Sequence, residues 1–236
     1  MAGAAAFFGD KGGRVLLHSL NDLMQSRLHV ADRRVTADEV FFGPDDRKIR
    51  YLAVDIGGWF QVREVIVAAE LLDAPGVMGG GWSLRLDEAA LNAAPRWHAG
   101  MTEETADLTG WPPIIVGPFG GTYAPMLLYE QMVDQSRRGD GTPPEPGSGE
   151  EIVFRLERAS EWLGLLAFGR DGELGRIEDM LFDGTTLRIE RLVLGSGGLL
   201  SHRVAEVPLS ALRHMANQRT HVVLDLSAED VIPDAD

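Results

Sequence analysis

At 236 residues the chain is long enough for one large domain or two small ones, and its 36 acidic against 22 basic side chains give a formal charge of −14. That field opposes a nucleic-acid backbone, which needs a basic footprint, and repels anionic lipid surfaces, while basic protein surfaces stay open as partners. With no cysteine the chain has no disulfide, thiolate catalysis or thiolate-bound zinc, and no apolar run reaches the roughly 18 residues of a membrane span.

In chain order, residues 1–12 read as a poorly ordered leader, and Met1–Phe8 lacks the basic start of a signal peptide, so a cytoplasmic location is expected. Within Val15–Val30, Leu16, Leu17, Leu20, Leu23, Met24 and Leu28 suggest a short strand and then a helical turn opened by Ser19 or Asn21. From Val35 the period becomes two, with Val40 and Phe42 on one side of a strand and Pro44-Asp45-Asp46 turning a hairpin. The returning strand, Ile49 to Gly58, is continuously apolar at Leu52, Ala53 and Val54, the pattern of a strand covered on both faces. Gly57 and Gly58 then allow a reversal or bulge. A third strand spans Gln61–Ala68, with Val65 and Val67 inward and Arg63 on the same face near its mouth. Next, Trp82–Leu86 runs into an acidic helix with Asp87 as N-cap and Glu88 in the first turn.

The same order returns 140 positions later. Phe42 aligns with Phe182, Ile49 with Ile189, Leu52 with Leu192, Gly57-Gly58 with Gly197-Gly198 and Arg63 with Arg203. The match runs on through Val67 and Val207, Leu72 and Leu212, Leu84 and Leu224, and Leu86 and Leu226. Met180 and Phe182 repeat the hairpin strand, and Asp183-Gly184 repeats the turn, with positive φ expected at the glycine. Ser201–Pro208 is the third strand, with Ala205 and Val207 inward, and Ser227, Glu229 and Asp230 suit a second capped helix. A repeat of this spacing predicts two compact all-β units, each with its own small core, at 14–95 and 160–236, joined by 96–159.

The connection has a different character. Pro95–Thr109 is polar and acidic, Trp111–Tyr129 carries no charge, and Gly139–Gly149, with Pro143, Pro144 and Pro146, reads as a linker. Two readings of the uncharged strip stay open: it packs across the two units, or it presents Trp111, Ile114, Ile115, Phe119, Tyr123, Leu127 and Tyr129 to a protein partner. Its four prolines and three glycines argue against a membrane span.

Chemistry is sparse. The histidines at 18, 29, 98, 202, 214 and 221 show no ligand spacing, and His202 with Arg203 beside Gly197-Gly198 reads as an edge-strand surface pair. Ser196 lacks the spacing of a nucleophile elbow, and no phosphate-binding glycine motif opens a helix. The acids Asp38-Glu39 and Glu178-Asp179 recur in both copies, but neighbours on a strand point to opposite faces and do not share a proton. No catalytic residue, metal site or cofactor is expected.

The run Gly175-Arg-Ile-Glu-Asp-Met-Leu-Phe-Asp183, then Ile189–Gly198, then Arg203–Pro208, resembles the PRC-barrel family. That fold occurs in the cytoplasmic domain of the photosynthetic reaction-centre H subunit and in the C-terminal domain of a ribosome-maturation factor. In the first copy Val35 stands in place of Gly175 and Ala68 in place of Pro208. The resemblance implies two small β-barrels in tandem, defined by Gly57, Gly58, Arg63, Gly197, Gly198 and Arg203. It implies a non-enzymatic scaffold that binds protein, in one setting an accessory or assembly factor on the cytoplasmic side of a membrane-embedded complex. The other branch implies a ribosome-maturation accessory that binds a ribosomal protein. An enzyme acting on a small molecule has no supporting constellation in the sequence. Its hydrophobic and turn positions specify fold far more than activity.

Overall fold

The computed structural model describes residues 16–57, 62–76, 80–97, 156–197, 202–216 and 219–231 in full, and the backbone alone of 6–10, 13–15, 115–116 and 122–123. The described fold is all-β with short helices. It opens with a hairpin, β1 (Ala6–Asp10) and β2 (Gly13–Ser19), where a poorly ordered leader was expected. Helix α1 (Leu20–Gln25) follows, its first turn capped by the Ser19 hydroxyl, which accepts the Asp22 N–H at 2.8 Å. The rest of the first copy is β3 (Arg27–Val30), β4 (Arg33–Phe42), β5 (Ile49–Asp55), β6 (Glu64–Ala68), β7 (Leu72–Asp73), β8 (Ser83–Leu84), α2 (Glu88–Ala93) and β9 (Arg96–Trp97). A detached pair, β10 (Ile115–Val116) and β11 (Thr122–Tyr123), lies in the connection. The second copy is β12 (Glu157–Arg158), α3 (Ala159–Trp162), β13 (Leu166–Phe168), β14 (Glu173–Asp183), β15 (Ile189–Ser196), β16 (Arg203–Pro208), β17 (Leu212–Met215) and β18 (His221–Leu224).

The two copies pair their strands in one order, β6-β5-β4-β3-β8-β7 and β16-β15-β14-β13-β18-β17, with a parallel pair (β3 with β8, β13 with β18) at the same place in each. The long strand carries a register shift at matching positions, between Ala37 and Glu39 and between Ile177 and Asp179. Among the described residues no pairing closes either sheet into a ring.

The copies also exchange their leading strands. β2, which begins the first copy, pairs with β14 of the second, placing His18 opposite Phe182. β12, which begins the second, pairs with β4 of the first, placing Glu157 opposite Phe42. A local twofold relation runs between the hairpin turns, where Ile49 N–H donates to the Leu187 carbonyl at 2.8 Å and Ile189 N–H to the Arg47 carbonyl at 3.0 Å. Arg47 and Leu187 have φ of 56° and 59°, so positive φ falls on these residues and not, as expected, on Gly184. Gly184 is needed for another reason: a Cβ there would meet the His18 ring at 2.8 Å and Ala74 at 2.9 Å. Gly175 has φ of 138° with the Gly195 carbonyl pressed against it, a conformation Val35 does not share.

Exchange merges the interior. One cluster of buried side chains runs from Leu20 and Phe42 through Leu52 and Val67 to Trp162, Phe182, Leu192 and Leu224, where two separate cores were expected. Each long strand carries, at its last or next-to-last residue, a phenylalanine that packs on the opposite copy: Phe42 meets Trp162 edge-on at 5.6 Å, and Phe182 stacks on Trp82 at 5.9 Å. A smaller cluster, Phe41, Tyr51, Ala53, Ile66, Ala68 and Trp97, covers the outer face of the first sheet. Burial of both strand faces therefore holds for β5. In β15 the outer face is half-exposed at Arg191 and Val193, and the expectation fails there.

The free edges differ in a way that explains one substitution between the copies. β9 lies along β6, and Ile66 N–H donates outward to the Pro95 carbonyl at 2.9 Å. Counting two residues on, position 68 also faces outward, and Pro208 at the matching place removes that donor from the edge of β16. The second predicted helix is a turn over 228–230, closed by Asp230 accepting from the Ser227 N–H and hydroxyl, each at 2.8 Å.

Candidate functional site

Trp111, Ile114, Phe119, Leu127 and Tyr129 lie outside the described residues; Ile115 and Tyr123 are described as backbone, paired opposite each other in β10 and β11. The residues that flank this connection pack on one another. Trp97, the last described residue before it, packs edge-on against Phe41 at 5.1 Å, and Arg158, just after it, sets its guanidinium over the Trp97 ring at 5.1 Å. Leu156 packs on the same outer cluster. The described residues that flank 98–155 thus meet at one place on the outer face of the first sheet.

Of the repeat-defining positions, Gly58 and Gly198 are outside the described residues. Asp55 clasps the first loop by accepting the Gly57 N–H at 2.8 Å and the Arg63 N–H at 2.9 Å. Arg63 donates on to the Asn92 carbonyl at 3.2 Å, whereas Arg203 is exposed, so the two arginines do not share a role. Gly197 takes φ of 98°.

The recurring acids divide by face. Asp179 accepts the Ser19 hydroxyl at 2.5 Å, the Asn21 N–H at 3.0 Å and the Met180 N–H at 2.8 Å. Glu39, its counterpart, accepts the Ser160 hydroxyl at 2.5 Å, the Ser160 N–H at 3.1 Å and the Val40 N–H at 3.0 Å. Each carboxylate therefore holds the first turn of the helix from the opposite copy. Burial raises the Asp179 carboxyl above its ordinary value, against the lowering effect of those three hydrogen bonds. The outward members, Asp38 and Glu178, are exposed, and Glu178 takes a 2.7 Å contact from His202.

Sequence reasoning passed over a cavity of about 780 Å³ at the seam between the copies. The exchanged strand β2 contributes His18, the first copy contributes Lys48, Glu70, Asp73 and Arg85, and the hairpin turn of the second copy contributes Asp183 to Leu187. Lys48 faces Glu70 at 3.4 Å, and Arg85 pairs with Asp73 while also donating to the Glu70 carbonyl. Asp183 uses Oδ1 to accept the Thr185 N–H at 2.7 Å, which shapes the turn. His18 is 8% exposed, lies between Trp82 at 5.2 Å and Phe182 at 5.8 Å, and makes no hydrogen bond through its ring among the described residues. A lone histidine among leucines carries no motif, so the signal for this site was its position opposite Phe182, which is a tertiary fact.

The described residues hold no group of three or more side chains placed to bind a metal, and none of their helices is long and apolar enough to cross a membrane. No family model matches the chain, and a search of curated proteins finds no significant match.

Proposed function

We propose that this chain is a tandem PRC-barrel-type protein, with units at 14–95 and 160–236, that works as a non-enzymatic scaffold. The uncharged strip Trp111–Tyr129 is its docking element for a protein partner, and the favoured setting is the cytoplasmic face of a membrane-embedded complex like the photosynthetic reaction centre. The observation that carries this reading is the clamped base of residues 98–155. Trp97 and Arg158 stack there, which holds together on the β platform the two flanks of a segment whose sequence is rich in aromatic and aliphatic residues. The repeated strand order supports the assignment to a duplicated β module. Attachment through protein fits the charge of −14, which repels anionic lipid.

The test uses full-length chain in its native cells, with a photo-crosslinking residue at Phe119 or Tyr123, beside a variant lacking 111–129. Expected are sedimentation with membranes and one discrete crosslinked protein, both lost on the deletion while the circular dichroism of the β platform is retained. A chain that stays in the soluble fraction without crosslinks overturns the reading, and co-sedimentation with small-subunit ribosomal precursors replaces it with the ribosome-maturation alternative.

A further inference from the structure

The two copies treat one place in the fold differently. His18 and Glu157 occupy matching positions in the exchanged strands, opposite Phe182 and Phe42. Glu157 is engaged through Oε2, which accepts the Trp162 indole N–H at 3.1 Å and pairs with Arg219 at 2.8 Å, while Arg47 lies over the Trp162 ring at 5.0 Å. His18 has none of these partners among the described residues, and its ring lines the seam cavity instead. With no partner among the described residues, the ring nitrogens open onto the cavity, where water or a ligand completes their hydrogen bonding.

The charges around it select which ligand that is. Both cations of the lining, Lys48 and Arg85, already face carboxylates, Glu70 and Asp73, so an anion has no free positive group to meet. Asp183 adds a further carboxylate, and with Oδ1 held by the turn its Oδ2 is the remaining acceptor beside His18. Of these six groups the net charge is negative, and the volume lies within the range of small-molecule sites, about 300–1,000 Å³.

We propose that the seam cavity binds a small organic amine, its ammonium held by Asp183 and its polar part hydrogen-bonded to the His18 ring. The ligand bridges the exchanged strand of the first copy and the hairpin turn of the second, so it fastens the seam. This goes beyond the scaffold reading and does not depend on residues 111–129.

The probe is putrescine, titrated into full-length protein at physiological salt, with inorganic phosphate as the anionic control. Readouts are the thermal midpoint, calorimetric titration and the His18 ring resonances. Asp183→Asn keeps the turn-shaping oxygen and removes the charge, so it preserves the fold, and His18→Phe keeps ring packing and removes the nitrogens. Expected are saturable binding by putrescine, a shift of the His18 resonances, and affinity at least about tenfold weaker in Asp183→Asn, since a charge-assisted bond is lost. The proposal is overturned by equal binding in Asp183→Asn, which marks diffuse attraction to the acidic surface, by binding of phosphate in place of the amine, or by no saturable binding. If His18→Phe fails to fold, the Asp183→Asn comparison and the His18 resonances still decide.

Discussion

Burial against Trp82 and Phe182 holds the His18 imidazole below its ordinary 6.5, outweighing the raising influence of Asp183 and Asp22. The sign of its effect on stability follows. Between the lowered native value and 6.5 the unfolded chain binds a proton that the native chain does not, so stability is full above 6.5 and drains as pH falls below it. Asp179 has the opposite sign, since its raised native value makes its contribution decline as pH rises through the window just above 3.8. Denaturation midpoints taken from neutral pH through the first unit below 6.5 therefore leave Asp179 out, and the His18→Phe variant separates His18 from the other five histidines, His202 beside Glu178 among them. His18→Phe should flatten a slope that is at most about 1.4 kcal/mol per pH unit, and an unchanged slope would show that another group titrates there. Other residue pairs show how the copies diverged without losing contacts. Asp73–Arg85 and Arg213–Asp225 are the same cross-strand ion pair at a spacing of 140 with the charges reversed. A comparison of the copies residue by residue sees a mismatch at both positions, and it takes the paired strands to reveal one conserved interaction.

Strands with a periodic core face were readable from residue order: β4, β5, β14 and β15 and the hairpin turns between them lie where alternation and turn chemistry put them. Exchange of β2 and β12 was not readable. β12 has two residues, β2 pairs with β14 through three, and neither carries a pattern that says which copy it joins. The same limit hid the meaning of Glu39 and Asp179, whose partners Ser160 and Asn21 stand 121 and 158 residues away. At this scale the carboxylates act as helix caps supplied in trans by the other copy. Asp179→Ala removes a desolvated charge but strands the Ser19 hydroxyl and two N–H groups. The second effect should win, lowering stability by about 1–3 kcal/mol in urea denaturation. Glu178→Ala, one residue away and exposed, should stay within about 0.5 kcal/mol. Equal losses in the two variants would mean that the cross-copy cap holds nothing.

At the scale of the whole molecule, duplication of sequence and unity of folding part company. Had each copy kept its leading strand, two cores would melt separately. Here Phe42 rests on Trp162, Phe182 rests on Trp82, and the turns bond to each other through Ile49 and Ile189, so neither interior is complete without the other. Cooperative unfolding of both copies follows, and native-state hydrogen exchange reads it without a probe being introduced. The amides of Leu52 and Val54 in β5 and of Leu192 and Leu194 in β15, all on fully buried side chains, should exchange with one opening free energy and one denaturant dependence. A sharper form places the damage in one copy and reads it in the other. Leu52→Ala opens a cavity in the shared cluster at an expected loss of about 2–5 kcal/mol. If the copies fold as one body, protection at Leu192 and Leu194 falls by the same amount as at Val54. Protection in β15 that survives the substitution would mean that the exchanged strands and the shared aromatic contacts fail to couple the copies, and that each sheet unfolds alone.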